Sequence, residues 1–376
     1  MEACCWGCSG ANTKAPVTRA AAIKAPAQWG KAKRADGRRG TIETVGETKE
    51  RDAPVMADSQ TNTLVLMASE TVNRSRPWPT NATLLVLGAG FSGKRIASLA
   101  RQNGARVLTT RRLVDDNGSD EALCFDSQLG RIPTPEQLNG VTHLISTIAP
   151  ERDGQDPVLR CLGDRLGSMP LQWVGYLSTT GVYGDRQGHW VSETDAPNPT
   201  QERSKRRLDC EEAWMQTDLP LQIMRLPGIY GPGRSPLQAI LRGEIKPVEK
   251  PGQVFSRIHV DDIAGACLHL IDRASNGQRP AIVNVCDDRP APSAEVQSYA
   301  AELLGIALPA CRSYNAVEGS MSPMARSFWA ENRRVSNQLL CQELGYRLVH
   351  PDFRSGMRNC WEQEGFRARG SEPGAA

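Results

Sequence analysis

Residues 82–112 read ATLLVLGAGFSGKRIASLARQNGARVLTTRR. Leu84, Leu85, Val86 and Leu87 make an unbroken apolar run, the pattern of a strand covered on both faces. The run ends on Gly88-Ala89-Gly90-Phe91-Ser92-Gly93, a G-x-G-x-x-G turn. An amphipathic stretch follows, and the chain returns to strand near Val107. In such a strand–turn–helix–strand unit each glycine has its own reason. The first allows the tight turn, the second lets backbone approach a pyrophosphate, and the third lets helix and strand pack closely. The helix that begins there offers unpaired N–H groups to phosphate oxygens. The stretch therefore predicts a dinucleotide-binding unit with Gly88, Gly90, Phe91, Ser92 and Gly93 at the cofactor.

The second strand ends in Thr109-Thr110-Arg111-Arg112. An acidic residue about 20 positions past the glycines would accept from a ribose 2′-hydroxyl and repel a 2′-phosphate; arginine does the reverse. Arg111 and Arg112 thus predict NADP, with NAD as the alternative. Asp126 closes a third strand at 122–126 and is placed to meet the adenine. Apolar runs at 142–149, 173–179, 221–227 and 281–286 alternate with helical patterns. That alternation predicts an α/β fold, a doubly wound parallel sheet covered on both faces.

Composition bounds the function classes. Residues 1–55 hold ten Lys/Arg against six Asp/Glu, so the formal charge of +3 sits in this leader and the remainder is nearly neutral. No nucleic-acid partner is predicted. No apolar run reaches the length of a membrane span, so no membrane partner is predicted either. Residues 1–80 lack helical or strand periodicity and read as a disordered leader. A start at Met56 or Met67, or an organelle transit peptide, are the alternatives. The eleven cysteines, an odd number, mostly stand singly in apolar segments, as do Cys124, Cys267 and Cys286. This suits buried thiols in a reducing compartment and predicts a cytoplasmic protein, with import through the leader as the alternative. Cys5 and Cys8 form a C-x-x-C without a second Cys/His pair, and the five histidines show no metal-ligand spacing. No metal is predicted.

Four further landmarks follow the glycine turn: STTGVYGD (178–185), RLPGIYGPG (225–233), RIHVDDIAGA (257–266) and NRRVSNQLLCQELGYRLVHPDFRSGM (332–357). Their order and spacing resemble the extended short-chain dehydrogenase/reductase superfamily of the NAD-dependent epimerase/dehydratase type. The resemblance spans about residues 83–360. It implies a Rossmann domain at 81–227, completed by a strand near 281–286. It also implies a smaller C-terminal substrate part at 228–362, interleaved with the sheet, before a disordered tail at 363–376. The family's catalytic set is a Ser/Thr, a Tyr and a Lys four residues after the Tyr. The Tyr moves a proton at a substrate oxygen while hydride moves at nicotinamide, and the Lys lowers the Tyr pKa and holds the nicotinamide ribose.

Carried over, the hydroxyl falls at Thr179, with Ser178 beside it at the cofactor, and the Lys at Lys205. The Tyr position holds Gln201. Glutamine donates hydrogen bonds but does not shuttle protons near neutral pH. Tyr183 is the substitute that the sequence offers, although in this family a Tyr in V-Y-G accompanies the catalytic one. Other departures agree with an atypical subgroup that lacks the tyrosine. The glycine turn is one residue shorter than usual, Gly228 replaces an Asn that helps bind a nucleotide-sugar diphosphate, and Phe255 replaces the Arg that clamps it. Arg257 and Arg234 are the compensating candidates. Two readings follow. One is an NADP-dependent oxidoreductase or epimerase-like enzyme with a degenerate site, acting as monomer or homodimer on a small polar molecule such as a sugar or sugar nucleotide. The other is a non-catalytic NADP-binding redox sensor or scaffold.

Overall fold

The computed structural model describes residue 78 and residues 81–113 and 122–366. The readings placed on the leader, Cys5 and Cys8 included, lie outside the described residues, Trp78 apart. Seven strands form one parallel sheet. They are β1 (Thr83–Leu87), β2 (Arg106–Arg111), β3 (Ala122–Cys124), β4 (Val141–Ser146), β5 (Trp173–Thr179), β6 (Leu221–Leu226) and β7 (Ile282–Asn284). Their order is β7-β6-β5-β4-β1-β2-β3. The chain reverses direction across the sheet between β1 and β4, and the crevice beyond the strands' carboxyl ends at that point is where such folds bind ligands.

Period-2 alternation explains the two covered faces. Leu84 and Val86 of β1 join one apolar cluster, whereas Leu85 and Leu87 join another. The first is closed by α1 (Phe91–Gln102) and α4 (Val260–Ser275), through Ile96, Ala97, Ala100, Ile263 and Cys267. The second is closed by α2 (Pro157–Leu166) and α3 (Glu202–Met215), through Leu162, Leu166, Cys210 and Trp214. A separate cluster joins α5 (Ser293–Leu304) to α7 (Phe353–Gln363) around Tyr230, Leu237 and Phe353. A short helix between them, α6 (Pro323–Trp329), starts on a Ser322 cap and a proline, as helix starts favour. Structure continues past the 363 boundary expected from sequence. Phe366 packs on the third cluster, and Glu364 accepts from Gly233 N at 3.0 Å.

The C-terminal segment is tied back to the start of α4. The fully buried Asp262 carboxylate accepts from Tyr346 Oη at 3.0 Å, Val349 N at 2.7 Å and His350 N at 2.9 Å. Among the described residues every cysteine is a free thiol, and no helix is long and apolar enough to cross a membrane.

One buried group makes stability depend on pH. His143 on β4 is 4% exposed, stacks against Trp78 and holds Thr142 Oγ1 at 2.9 Å from its Nδ1. Burial lowers its pKa to about 4. Above about 6.5 the ring is neutral folded or unfolded, and its contribution is complete. As pH falls from 6.5 toward 4 the unfolded chain binds a proton that the folded one refuses, so stability drops. Urea unfolding of His143→Leu against wild type is expected to show the difference narrowing by roughly 1–3 kcal/mol across that window. A constant difference from pH 7 to pH 4 would contradict the assignment.

Candidate active site

The glycine turn has the geometry its spacing predicts. Gly88 has φ +90°, and a Cβ there would lie 2.8 Å from Thr147 Oγ1 and 2.9 Å from Ile148 Cγ1. Thr147 donates to the Gly88 carbonyl at 2.6 Å, and Gly88 N donates to Thr110 Oγ1 at 2.9 Å. A Cβ on Gly93 would overlap the Gly88 carbonyl oxygen. At Gly90 a Cβ would meet nothing within 4 Å, because this residue caps α1 at its open end. Phe91 and Ser92 open that helix, where N–H groups have no intrahelical acceptor. Arg111 and Arg112 are exposed at the carboxyl end of β2, and Thr110 O accepts from Ala89 N at 2.8 Å, which sets them beside the turn. Asp126 does something local. Its Oδ1 accepts from Gln128 N and Leu129 N at 3.0 and 3.2 Å, holding a turn.

A cavity of about 790 Å³ opens beyond the carboxyl ends of β4, β5 and β6. Its walls include Ala149 and Pro150, Thr179 to Gly181, Pro227 and Gly228, and Ser327, Phe328 and Trp329 of α6. Seven arginines line it: Arg152, Arg203, Arg206, Arg207, Arg234, Arg257 and Arg333. Two acids face them, and both are engaged. Glu151 pairs with Arg160 at 2.7 Å, and Glu331 with Arg333 at 2.7 Å. Burial lowers the pKa of Arg257, against the pull of Asp287, yet an arginine stays protonated under any physiological condition. The excess of arginine over acid makes the wall cationic.

The structure brings Thr179 to this cavity but not the other expected catalytic residues. Gln201 is the N-cap of α3, its carbonyl accepting from Ser204 N at 2.8 Å and Lys205 N at 3.0 Å. Neither Gln201 nor Lys205 is on the wall. Lys205 Nζ instead pairs with Glu202 at 2.7 Å, with 49% of its side chain exposed. The cause is helical phase. The helix starts at Glu202 and turns about 100° per residue, so the face carrying Arg203 and Arg207 reaches the cavity and Lys205 points away. Arg207 Nη1 donates to Ile148 O, Tyr176 Oη and Leu177 O at 3.3, 2.9 and 3.2 Å. Arg203 donates to Ser327 Oγ at 2.9 Å and lies 4.5 Å over the Phe328 ring, joining α3 to α6 across the mouth.

Burial sets two more of the expected residues apart from the cavity. Tyr183 is fully buried, donates to Asn284 Oδ1 at 2.8 Å and lies under Arg225 at 4.7 Å, so it is a packing residue. Ser178 is buried and donates to Glu211, which pairs with Arg225 at 2.7 Å. Sequence reasoning missed Ser204, Arg203, Arg207 and the α6 wall. The four-residue spacing of Arg203 and Arg207 was visible, but its use depended on fixing the helix start.

The absence of metal-ligand spacing along the chain also misses a convergence. His259, Asp261 and His350 place their ligand-type atoms within 4.8 Å of one another. Burial and the neighbouring His350 hold the His259 pKa near 3, so that ring is neutral. Asp261 Oδ1 accepts from Arg95 Nε at 2.5 Å, putting a fixed guanidinium charge on the cluster and tying α1 to α4.

A sequence model of the NAD dependent epimerase/dehydratase family matches residues 84–286. Protein YeeZ of Escherichia coli K12 is 27% identical over 285 residues, covering 71% of this chain and 96% of that protein. Among solved structures, a conserved protein from Silicibacter pomeroyi DSS is 40% identical, with a TM-score of 0.67 over 75% of this chain and 98% of its own. Human epimerase family protein SDR39U1, solved with NADPH, is 16% identical with a TM-score of 0.58, covering 75% and 99% of the two chains. At that identity the likeness concerns the fold.

Proposed function

Because the chain belongs to the NAD dependent epimerase/dehydratase family, we propose that it binds a nicotinamide dinucleotide, NADP ahead of NAD, and oxidises or reduces a small anionic substrate beside it. The arginine-lined cavity next to the glycine turn carries this reading. The turn fits the cofactor. Gly90 leaves open the space over the start of α1 that a pyrophosphate needs, and Gly88 and Gly93 allow strand and helix to close beneath it. Gly88, Gly90 and the N–H groups at Phe91, Ser92 and Gly93 would hold the pyrophosphate, and Arg111 with Arg112 the 2′-phosphate. MoeE5 was solved with NAD and SDR39U1 with NADPH, so these neighbours support a nicotinamide cofactor and the choice of NADP rests on Arg111 and Arg112. When bound, the nicotinamide supplies hydride transfer. The chain's own residues exclude water, orient the substrate through Thr179 and neutralise its negative charge. Sugar phosphates and sugar nucleotides have the anionic oxygens that such a wall recognises.

Isothermal titration checks the cofactor. NADPH is expected to bind roughly tenfold or more tighter than NADH, and Arg111→Ala to erase the difference, since a charge-assisted pair contributes ~1.5–3 kcal/mol. Equal affinities in wild type would refute the NADP assignment. The turned-out Lys205 and the glutamine at 201 favour a second reading, a dinucleotide-binding sensor or scaffold. Tight NADPH binding with no NADPH oxidation against a panel of sugar phosphates and small carbonyl acids would select it.

A further inference from the structure

Two hydroxyls flank Gly181 on the cavity wall. Gly181 is the second residue of the turn after β5, and a Cβ placed on it would lie 2.6 Å from Ser204 Oγ and 3.3 Å from Thr179 Oγ1. Both residues line the cavity. Thr179 Oγ1 accepts from Gly181 N at 3.1 Å, which leaves its proton to give. Ser204 is only 3% exposed, and among the described residues nothing accepts from or donates to its hydroxyl. A hydroxyl that opens on a cavity and has no protein partner is free to bond a ligand atom. Because the hydroxyls carry hydrogens and the wall around them is arginine, the matching ligand atom is an acceptor oxygen on an anionic molecule.

We propose that Thr179 and Ser204 form a two-donor site for one substrate oxygen, taking the place of the absent tyrosine, and that the substrate is an anionic carbonyl compound or its alcohol. The inference rests on the nicotinamide reading above. In the reducing direction a hydride brings two electrons to the carbonyl carbon, and the reductant NADPH leaves as NADP. The C=O π pair moves onto oxygen, where both hydroxyls donate to it. Neither hydroxyl belongs to the groups that titrate in the physiological range. They therefore stabilise the developing oxyanion without surrendering a proton, and water protonates the alkoxide. Gly181 is the third member of the site: any side chain there would stand between the two donors.

Inorganic phosphate, an oxyanion, serves as the probe. Its affinity is measured by calorimetry on the full chain, with and without saturating NADPH so that the dinucleotide site is filled in one arm. Ser204→Ala and Thr179→Val are each expected to weaken phosphate about tenfold, as for loss of a hydrogen bond to a charged oxygen. Their double variant should weaken it by less than the product, because both donors serve one oxygen. Gly181→Ala, which keeps both hydroxyls, should weaken phosphate comparably while the thermal midpoint shows the fold intact. Phosphate binding of wild-type strength in Ser204→Ala and Gly181→Ala overturns the two-donor site, and so does a wild type that binds no phosphate. Failure of NADPH to bind in the same titrations would refute the cofactor reading instead, leaving the phosphate result to be read from the cofactor-free arm.

Discussion

Gly93→Ala is expected to cost at least ~100-fold in NADPH affinity and to lower the thermal midpoint. The added Cβ would overlap the Gly88 carbonyl oxygen and lie 3.2 Å from its carbonyl carbon. Both are backbone atoms, so no side-chain rotation relieves the clash. Gly88 itself cannot retreat, because Thr147 and Ile148 crowd it and Thr147 bonds its carbonyl. The turn must open, at an overpacking cost of roughly 1–3 kcal/mol, and the N–H groups that would cradle the pyrophosphate move with it. Calorimetry with NADPH and a thermal melt measure the two effects. Gly90→Ala is the contrasting control: its Cβ meets no protein atom, so it should leave the melt nearly unchanged and act on affinity alone. Wild-type NADPH affinity in Gly93→Ala would disprove the placement of the cofactor on this turn.

The second large effect is expected at Glu211. Its side chain is fully buried and pairs with Arg225, whose side chain is 2% exposed, at 2.7 Å. It also receives the Ser178 hydroxyl. Glu211→Ala strands a guanidinium between β6 and the Tyr183 ring with no counter-charge, at a cost of about 3–5 kcal/mol. Glu211→Leu combined with Arg225→Met removes both charges and should recover most of the loss, since a buried pair seldom outperforms apolar residues of similar volume. Urea unfolding of the full chain reports both variants. A single variant within 1 kcal/mol of wild type would mean that water reaches the pair.

The two predictions separate what sequence made legible from what it did not. The apolar run at Leu84–Leu87, the glycine turn and the alternation of runs predict the parallel sheet, because strand burial and turn chemistry are local properties. Gly93 was readable from spacing alone, whereas the strand order came only with the structure. The cavity wall was not readable, and the reason is geometric. Carrying the family's residues onto Gln201 and Lys205 assumed a helical phase, and a start at Glu202 sends Lys205 to solvent and Arg203, Ser204 and Arg207 inward. Tyr183 and Ser178 sit in a motif that sequence reads as catalytic, yet their partners, Asn284 and Glu211, lie 101 and 33 residues away. Long-range pairing of this kind leaves no local trace. The same holds for His259 and His350.

The clamp on Asp262 has a consequence for how the protein is made. Synthesis delivers α4 with its buried carboxylate 84 to 88 residues before the donors at Tyr346, Val349 and His350. At roughly 5–20 residues per second, that interval lasts roughly 4–17 s on the ribosome. Once β7 at Ile282–Asn284 has been made, the nascent chain holds every strand of the parallel sheet and a face of α4 that cannot be buried without stranding a charge. Folding of this half therefore waits for the last segment, and a message ending before Tyr346 would yield a chain with apolar helix surface open to chaperones and proteases rather than a slightly shorter protein.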